Sequence, residues 1–384
     1  MIEVLAMVIN LLPALNGDCI LVEIQLSHYI LVDGGYVNTY NEYLLPTIKE
    51  ISARGGKLDL VVVTHIDSDH ISGVIRLMEE MPIGIREIWY NGYRHIQSLA
   101  VTMEEKETFV HRNICKEYQV EGTRPISAKQ GCTLSALIAR NGISWNTPAN
   151  GDAIMAPISI PIGGDAIIHV LSPNKGDLEA LGSFWKKRLI KDGLLSKAHS
   201  EEYWDDAFEF SLSQEKPGFH FHNKKVSKCF DLKKIKEEPY EPDSSATNGS
   251  SISFALESEG KKILFLGDAH SETIIESLET LYGENNKPYH FDAVKLSHHG
   301  SYNNNSPELL SMIKTDKWLI STNGDKYNHP DIATLAHIIT EGEDNKLYFN
   351  YSLPVCRDLM QSVYQEEYDF DVVLPDEEGI VITL

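Results

Sequence analysis

Short apolar runs separated by turn residues dominate the first 75 positions of the chain. Each run has the length and the β-branched content of a strand, and the third ends at Asp33-Gly34-Gly35, a turn signal. The runs that predict strands here are Val4 to Leu12, Cys19 to Ile24, Tyr29 to Val32 and Leu60 to Val63. A helical pattern over about Glu42 to Ser52 separates the last two.

Strand and helix patterns continue to the end of the chain. A helix is predicted from about Ser72 to Glu80, and Tyr368 to Leu384 alternates well enough to predict a closing pair of strands around the turn at Pro375 to Gly379. Since the strands occur both with and without a helix between them, we expect a mixed β-sheet layered against helices. The further predicted strands are Ile85 to Tyr90, Ile167 to Leu171, Ser251 to Leu256, Lys262 to Leu266, Ala293 to Leu296 and Trp318 to Ser321.

The segment from about Leu178 to Tyr240 differs from its surroundings because it is close to neutral, whereas the rest of the chain is strongly acidic. We interpret it as a helical insertion in a single domain spanning residues 1–384. Its basic groups, such as Lys186-Lys187-Arg188 and Lys233-Lys234, are more typical of a solvated helix face than of a contact with an anionic substrate.

Composition narrows the class of protein. The 384 residues are 42% hydrophobic, enough for a sizeable core, and the net charge of −22 opposes binding to extended duplex DNA. Five scattered cysteines without a C-x-x-C pair indicate neither a disulfide framework nor a thiolate zinc site. The apolar N-terminus carries Glu3 but no basic residue, and no apolar stretch is long enough to span a membrane. We therefore expect a cytoplasmic protein without a membrane contact.

The string Thr64-His65-Ile66-Asp67-Ser68-Asp69-His70 follows a predicted strand directly. Four side chains that bind metals fall within six residues, and such closely packed imidazoles and carboxylates need a cation to neutralise them. Mixed imidazole and carboxylate donors suit Zn²⁺, Mn²⁺ or Fe. The string is therefore first of all a predicted metal site.

Three later strands also end in residues that bind metals. Lys262 to Leu266 leads into Gly267-Asp268, a carboxylate placed where it could bridge two ions. The next two predicted strands lead into His298-His299 and, through a short loop, into His329-Pro330. Each pattern alone is weak evidence, but four strand ends carrying His or Asp predict one metal site at a single edge of the sheet.

The ordered motifs resemble those of the metallo-β-lactamase fold superfamily. More narrowly, they look like the ComEC/Rec2-like hydrolase branch, which is also similar to the phosphorylcholine esterases, and the Asn16-Gly17-Asp18 turn is similar to the turn that opens that domain. The resemblance covers residues 1 to about 340 without the insertion, and it implies an α/β (α+β) fold, an αββα four-layer sandwich with a dinuclear site at one edge. The motifs are LVDGG at 31–35, THIDSDHISG at 64–73, FLGD at 265–268, LSHHGS at 296–301 and NHP at 328–330.

The resemblance also implies a role for each site residue. Asp268 would bridge two divalent ions, either Zn²⁺ or Mn²⁺, with Fe as a further option because Asp67 replaces the usual second histidine. The first ion would be held by His65, Asp67 and His298, and the second by Asp69, His70 and His329. Asp33 would hold a ligand histidine or its loop in place.

Two positions depart from the common pattern of that superfamily. The histidine of the third motif is missing, and Asn248 takes its place ahead of a predicted strand. We assign its role to His298. His299 stays open as an alternative ligand or as the acid that protonates the leaving group.

The most probable activity on this reasoning is that of a phosphodiesterase, with Asp69, Asp268 and His299 as its catalytic residues. Hydroxide held between two cations would attack phosphorus. The substrate would be small or single-stranded: a nucleotide, a nucleic-acid end or a small phosphodiester. One alternative is a carboxylic ester, lactone or thioester hydrolase of the same fold. Another is a noncatalytic or partner-dependent component of a bacterial multi-protein system, with residues 178–240 as its docking surface.

Overall fold

The structure is a computed structural model that describes residues 7–25, 28–98, 133–191 and 231–384. In chain order the strands are β1 (Val8–Leu11), β2 (Ile20–Ile24), β3 (His28–Val32), β4 (Leu58–Val62), β5 (Glu87–Trp89), β6 (Ser144–Trp145), β7 (Ile158–Gly163), β8 (Ala166–Ser172), β9 (Ser253–Ser258), β10 (Lys261–Phe265), β11 (Tyr289–His290), β12 (Ala293–Lys295), β13 (Ile313–Lys314), β14 (Lys317–Ile320), β15 (Asn345–Phe349), β16 (Phe370–Val373) and β17 (Ile380–Thr383).

Helices connect many of these strands. A π-helical segment, Tyr40–Leu44, lies between the first two α-helices. The α-helices are α1 (Val37–Thr39), α2 (Leu45–Ala53), α3 (Ser68–Glu80), α4 (Tyr93–Ser98), α5 (Leu134–Asn141), α6 (Lys175–Lys191), α7 (Leu232–Ile235), α8 (Ala246–Gly249), α9 (Ser271–Tyr282), α10 (Pro307–Met312), α11 (Ile332–Glu341), α12 (Pro354–Leu359) and α13 (Ser362–Glu367). The 3₁₀ turns are Thr147–Ala149, Glu284–Asn286, Ser297–Gly300 and Tyr302–Asn304.

Two mixed sheets form the centre of the fold. The first has seven strands in the order β17-β1-β2-β3-β4-β5-β6, and the second has eight in the order β16-β15-β14-β12-β10-β9-β8-β7. In the first sheet β3 to β6 run parallel, and in the second sheet the same is true of β10, β12, β14, β15 and β16. A small separate pair consists of β11 and β13.

Three apolar layers fix the arrangement of sheets and helices. Side chains such as Ile9, Val22 and Phe254 fill the space between the two sheets. The outer face of the first sheet packs against α2, α3 and α5, and the outer face of the second packs against α9 and α11. Strands sandwiched in this way are buried on both faces, as all five residues of β4 are. The result is the predicted αββα sandwich.

The parallel strands bring the predicted motifs to one edge of the sandwich. The carboxyl ends of β3 and β4 precede the Asp33 turn and the Thr64–His70 string, while those of β10, β12 and β14 precede Asp268, the His298-His299 pair and the loop to His329. Open α/β sheets place their ligand sites at this same edge. The fold therefore assembles residues as distant in sequence as Asp33 and His329.

The predicted closing strand pair is wrong. β16 pairs with β15 in the second sheet, whereas β17 pairs with β1 in the first. The turn at Pro375 to Gly379 therefore carries the chain from one sheet to the other. Alternation along a segment identifies a strand, but it does not identify the neighbour, and here the free edges of both sheets were filled by distant pairing.

The predicted insertion begins inside the core. Leu178, Leu181 and Trp185 of α6 are buried in the layer outside the first sheet, while Lys186 and Lys187 are exposed on the same helix. Residues 192–230 of the insertion lie outside the described part of the chain. Its boundaries, and the single domain over 1–384, stay predictions.

No helix within residues 7–25, 28–98, 133–191 and 231–384 combines the length and the hydropathy that crossing a bilayer demands.

Close contact between two glycines holds α3 against the turn that follows β3. The Gly73 N–H donates to Gly35 O at 2.8 Å, and the Gly34 N–H donates to His70 O at 2.9 Å. A Cβ atom on Gly73 would lie 1.9 Å from Gly34 O, a distance that forces the backbones apart.

We predict that Gly73→Ala lowers the free energy of unfolding by about 3 kcal/mol, because overpacking against backbone cannot be relieved by a rotamer change. Gly84→Ala is the matched control, since a Cβ there would meet only Lys57 Cβ at 3.9 Å. Urea denaturation followed by circular dichroism measures both variants. Equal stability of the two variants would contradict the packing argument.

Candidate metal site

One carboxylate oxygen lies at the centre of the site. Asp268 Oδ2 is 3.6 Å from the Nε2 atoms of His65 and His70, and 3.8 Å from those of His298 and His299. The Asp268 residue is only 3% exposed. Four imidazoles from two segments, those that follow β4 and β12, thus point the same ring nitrogen at a single buried oxygen.

The turn after β10 places Asp268. Gly267 has φ +50°, a left-handed conformation that turns the chain sharply at the strand end. The Asp268 N–H then donates to Ser251 Oγ at 3.0 Å, and the Gly267 carbonyl accepts a bond from the His298 N–H at 2.8 Å. The strand ends that carry Asp268 and His298 are therefore joined by the backbone bond between the His298 N–H and the Gly267 carbonyl.

The loop after β4 contributes four donors. His65 lies before α3, Asp67 is its N-cap residue, and Asp69 and His70 lie in its first turn. Acidic groups at this end of a helix are stabilised by the helix dipole. The ring centroids of His65 and His70 are 4.2 Å apart, and His65 Nε2 lies 3.8 Å from Asp67 Oδ2.

Each central histidine is oriented through its other ring nitrogen. His70 Nδ1 is 2.8 Å from Asp33 Oδ2, His298 Nδ1 is 2.8 Å from Asn304 Oδ1, and His299 Nδ1 is 2.8 Å from the Ser321 carbonyl oxygen. His65 Nδ1 lies 3.0 Å from Thr64 Oγ1. Because an acceptor at Nδ1 keeps the proton there, it leaves the Nε2 lone pair for a cation.

Asp33 contacts the predicted ligand His70 and the Thr64 residue that precedes His65. Its carboxylate accepts bonds from the Thr64 N–H at 2.8 Å and the Thr64 hydroxyl at 2.7 Å, in addition to its contact with His70. This geometry supports the orienting role that the sequence predicts. Asn248 likewise lies beside a predicted ligand rather than at the centre of the site. Its Nδ2 is 3.4 Å from His298 Nδ1 and donates to Asp243 Oδ2 at 2.6 Å.

Three site residues adopt a left-handed backbone that non-glycine residues rarely take. Asp33 has φ +58°, and the consecutive His298 and His299 have φ +44° and +58°. Such conformations cost about 1–3 kcal/mol each and persist only where the surrounding structure enforces them. The Asn305 side chain enforces the histidine turn by bonding the Ser297 N–H, the Ser297 carbonyl and the Ser301 carbonyl.

Possible donor atoms form four overlapping groups of three among the described residues: two contain Asp18, with Asp33 and His70 or with Asp268 and His299, and the other two consist of predicted ligands. In the first of these other two, one donor atom each of His65, His70 and Asp268 lie within 4.8 Å of one another. In the second, the same holds for Asp69, His70 and His299. The structure thus brings His299 close to Asp69 and His70, whereas the predicted ligands Asp67, His298 and His329 are in none of the groups.

His329 lies further out, beside His298. Their ring centroids are 5.2 Å apart, and His329 Nδ1 lies 3.6 Å from Asp331 Oδ2. The assignment of each residue to one ion, including the choice between His298 and His299, stays a prediction.

Buried polar atoms without partners show that the donor set fits divalent cations. The Nε2 atoms of His65 and His70 and the Oδ1 atom of Asp268 are buried and have no hydrogen-bond partner. An unpaired buried polar atom is costly, and a cation bound between them would satisfy all three. The mixture of imidazole and carboxylate suits Zn²⁺, Mn²⁺ or Fe. The identity of the metal stays open.

The charges of the cluster shift the pKa values of its members. Burial opposes a charge on His70, but the carboxylates of Asp268 and Asp33 outweigh it and raise the pKa of that imidazole. Burial and the nearby His70 lower the pKa of His65 to about 4. Desolvation and the Asp69 carboxylate raise the pKa of Asp67 to about 7, although 32% of its side chain is exposed.

A buried ion pair behind the site was missed by sequence reasoning. Lys295, which is 1% exposed, donates from Nζ to Asp18 Oδ2 at 2.6 Å. Asp18 Oδ1 in turn lies 3.5 Å from His299 Nδ1. Burial raises the pKa of the Asp18 carboxyl, but Lys295 and His299 outweigh that effect and lower it. A lysine within the apolar strand β12 was the available signal, since an unpaired lysine is almost never fully buried.

Comparisons with known proteins agree with this fold. Residues 12–126 match the family model of the Metallo-beta-lactamase superfamily, which is less than half of the chain. Over those residues the chain is similar to this superfamily, and the αββα sandwich described above is consistent with that similarity. The finer resemblance to the ComEC/Rec2-like branch stays a prediction. Among curated proteins, none matches the sequence.

Two solved structures are similar to this chain at low sequence identity and low TM-score. A metallo hydrolase from the hyperthermophilic archaeon Ignicoccus hospitalis is 12% identical with a TM-score of 0.41, covering 99% of this chain and 98% of its own. A metallo-beta-lactamase fold protein from Bacillus subtilis is 8% identical with a TM-score of 0.39, covering 99% and 100%. Similarity at this level carries no information on the reaction.

We predict that Asp33→Asn weakens the binding of Mn²⁺ about 10- to 100-fold, because the carboxylate that orients His70 is lost while the ligands themselves stay. Asp59→Asn is the matched control: Asp59 also pairs with a histidine, His28 at 3.1 Å, but at the opposite end of β4. Isothermal titration calorimetry of chelator-treated protein measures both. Equal Mn²⁺ affinity in the two variants would exclude the orienting role.

We also predict that Mn²⁺ affinity falls as the pH falls from 8 to 6. A cation needs the Nε2 lone pair of His70, and the carboxylates that raise the pKa of His70 favour the competing proton. Titrations in two buffers with different ionisation enthalpies should therefore show proton release on binding. Affinity that does not change with pH, together with the absence of proton release, would contradict this account.

Proposed function

We propose that the protein is a metal-dependent phosphodiesterase with a dinuclear site. The observation that carries the proposal is the single Asp268 carboxylate shared by the surrounding imidazoles, flanked by two overlapping donor groups. Paired sites of this kind suit in-line displacement at phosphorus. Bound divalent cations would act there as Lewis acids on the phosphoryl oxygens and lower the pKa of a bound water.

The predicted ligands would be divided between the two ions. Asp268 would hold both ions, with His65, Asp67 and His298 on one side and Asp69, His70 and His299 on the other. His299 is 2% exposed, and its Nε2 faces Asp268, which supports a ligand role over that of an acid. His329 is then an outer residue beside His298 rather than a ligand of the second ion.

The donor chemistry favours a hard metal and a phosphate ester. Asp67, Asp69 and Asp268 would each supply a carboxylate to the site. Oxygen donors of this kind favour Mn²⁺ or Fe more than a site made only of imidazoles does. The complete set of donors supports catalysis over a noncatalytic role, since each orienting partner is also in place. We expect a small or single-stranded substrate, because the acidic chain disfavours extended duplex DNA.

We propose that the enzyme is cytoplasmic, because its five scattered cysteines without a C-x-x-C pair indicate no disulfide framework. Its residues 178–240 would then be a docking surface for a protein partner. Deleting residues 192–230 should remove complex formation and leaves the buried Leu178, Leu181 and Trp185 of α6 in place.

We predict that chelator-treated protein hydrolyses bis(p-nitrophenyl) phosphate only after Mn²⁺, Zn²⁺ or Fe²⁺ is restored. Asp69→Ala should reduce kcat/KM at least about 100-fold, since a lost ligand costs more than a lost orienting partner. Asp371→Ala, which removes an exposed carboxylate of β16, is the control and should keep full activity.

Two results would contradict the proposal. One is full activity of Asp69→Ala. The other is no hydrolysis of the diester with any of the three metals while p-nitrophenyl acetate or a lactone is hydrolysed, which would identify a carboxylic ester hydrolase instead.

A further inference from the structure

A lysine lies beside the metal site on the side that reaches solvent. Lys326 Nζ is 3.8 Å from Asp69 Oδ2, and its side chain is 20% exposed. Within the described part of the chain, Lys295 is the other lysine near the site. It is buried and forms an ion pair with Asp18. Lys326 is therefore placed to contact both the site and a molecule that enters it.

The loop that carries Lys326 is held in place. The Asn323 N–H donates to Leu15 O at 2.7 Å, and the Asn328 N–H donates back to Gly324 O at 3.1 Å. Lys326 Nζ also lies 5.0 Å from the centre of the Tyr327 ring. These contacts restrict the position of the ammonium group before any ligand arrives, which reduces the entropy that binding would cost.

Exposed apolar side chains lie close in sequence to residues of the same site, two of them on loops and Val37 at the start of α1. Leu15 precedes the Asn16-Gly17-Asp18 turn, Val37 follows the Asp33 turn, and Tyr327 precedes His329. Their exposed fractions are 40%, 44% and 44%. The Tyr327 ring is 5.8 Å from that of His329 and 6.3 Å from that of His298. We call these three side chains the apolar rim.

Charge explains why a lysine is needed at this position. The chain has a net charge of −22, and the carboxylates of the site add to the repulsion that an anion would meet on entry. A metal ion bound to the Asp69 carboxylate would compete with the ammonium group of Lys326 for that carboxylate. A non-bridging oxygen of an anionic substrate can then replace the carboxylate as the partner of the ammonium group, since ammonium–anion hydrogen bonds are among the stronger ones in proteins.

We propose that Lys326 binds the anionic group of the substrate and that the apolar rim of Leu15, Val37 and Tyr327 contacts an apolar or aromatic substituent beside it. The substrate class is then a small anionic ester with an apolar or aromatic group. The assignment of the anion as a phosphoryl group rests on the proposed phosphodiesterase function; the placement of the subsite does not.

The test is a binding measurement on the Mn²⁺-loaded protein with phenylphosphonate, an anionic aryl probe without an ester bond to cleave. Lys326→Gln should weaken its binding about 10-fold or more, and Lys326→Arg should keep most of it. Lys57→Gln, at the opposite end of β4, is the matched control and should bind like the wild type. The Mn²⁺ affinity of every variant is measured first by calorimetry, and Lys326→Gln should not weaken it.

A second comparison isolates the rim. Tyr327→Ala should weaken the binding of phenylphosphonate several-fold but leave the binding of methylphosphonate, which lacks the ring, nearly unchanged. Unaltered phenylphosphonate binding in Lys326→Gln, at full Mn²⁺ occupancy, would overturn the subsite. Equal losses for both probes in Tyr327→Ala would overturn the rim.

These outcomes are independent of the proposed activity. Loss of phosphonate binding in Lys326→Gln supports the subsite even if the wild type does not hydrolyse a diester. The converse result is that the wild type hydrolyses a diester with metal while Lys326→Gln binds phosphonate as tightly as the wild type. That result would support the proposed function and contradict the Lys326 subsite.

Discussion

Buried negative charge at one edge of the sandwich is the constraint on which the rest of the structure depends. Asp18, Asp33 and Asp268 are all 3% exposed or less, and each must be compensated because an isolated charge in a low-dielectric interior is prohibitively costly. Lys295 compensates Asp18, and Thr64 and His70 compensate Asp33. Four imidazoles surround the Asp268 carboxylate, and two of their Nε2 atoms, those of His65 and His70, are without a hydrogen-bond partner. Cations bound between Asp268 and these rings would satisfy the unpaired atoms of both.

The two sheets serve this arrangement by bringing parallel strands to a common edge. Asp33 and His70 come from the first sheet, and Asp268, His298 and His299 from the second, so the site spans both layers of the sandwich. The ion pair between Lys295 of β12 and Asp18 of the first half of the chain joins the same two layers from behind. Stability and chemistry are thus coupled: the contacts that join the sheets also orient the donors.

Much of this could be predicted from the sequence, because strand ends followed by His or Asp have a strong local signal. The Thr64–His70 string and Gly267-Asp268 are examples, and the strands that precede them were predicted to within a few residues. What could not be predicted depends on distant pairing. The partners of β16 and β17, and the choice of Asn304 and Ser321 as acceptors for His298 and His299, follow from contacts that no local pattern records. Leu178 and Trp185 likewise become core only when α6 packs.

The central claim is that two cations share the Asp268 carboxylate. Anomalous diffraction from crystals of the protein grown with Mn²⁺ tests it most directly. The account predicts two peaks about 3.5–4 Å apart on either side of Asp268, one beside His65 and the other beside Asp69 and His299. A single peak, or peaks that do not contact Asp268, would contradict it.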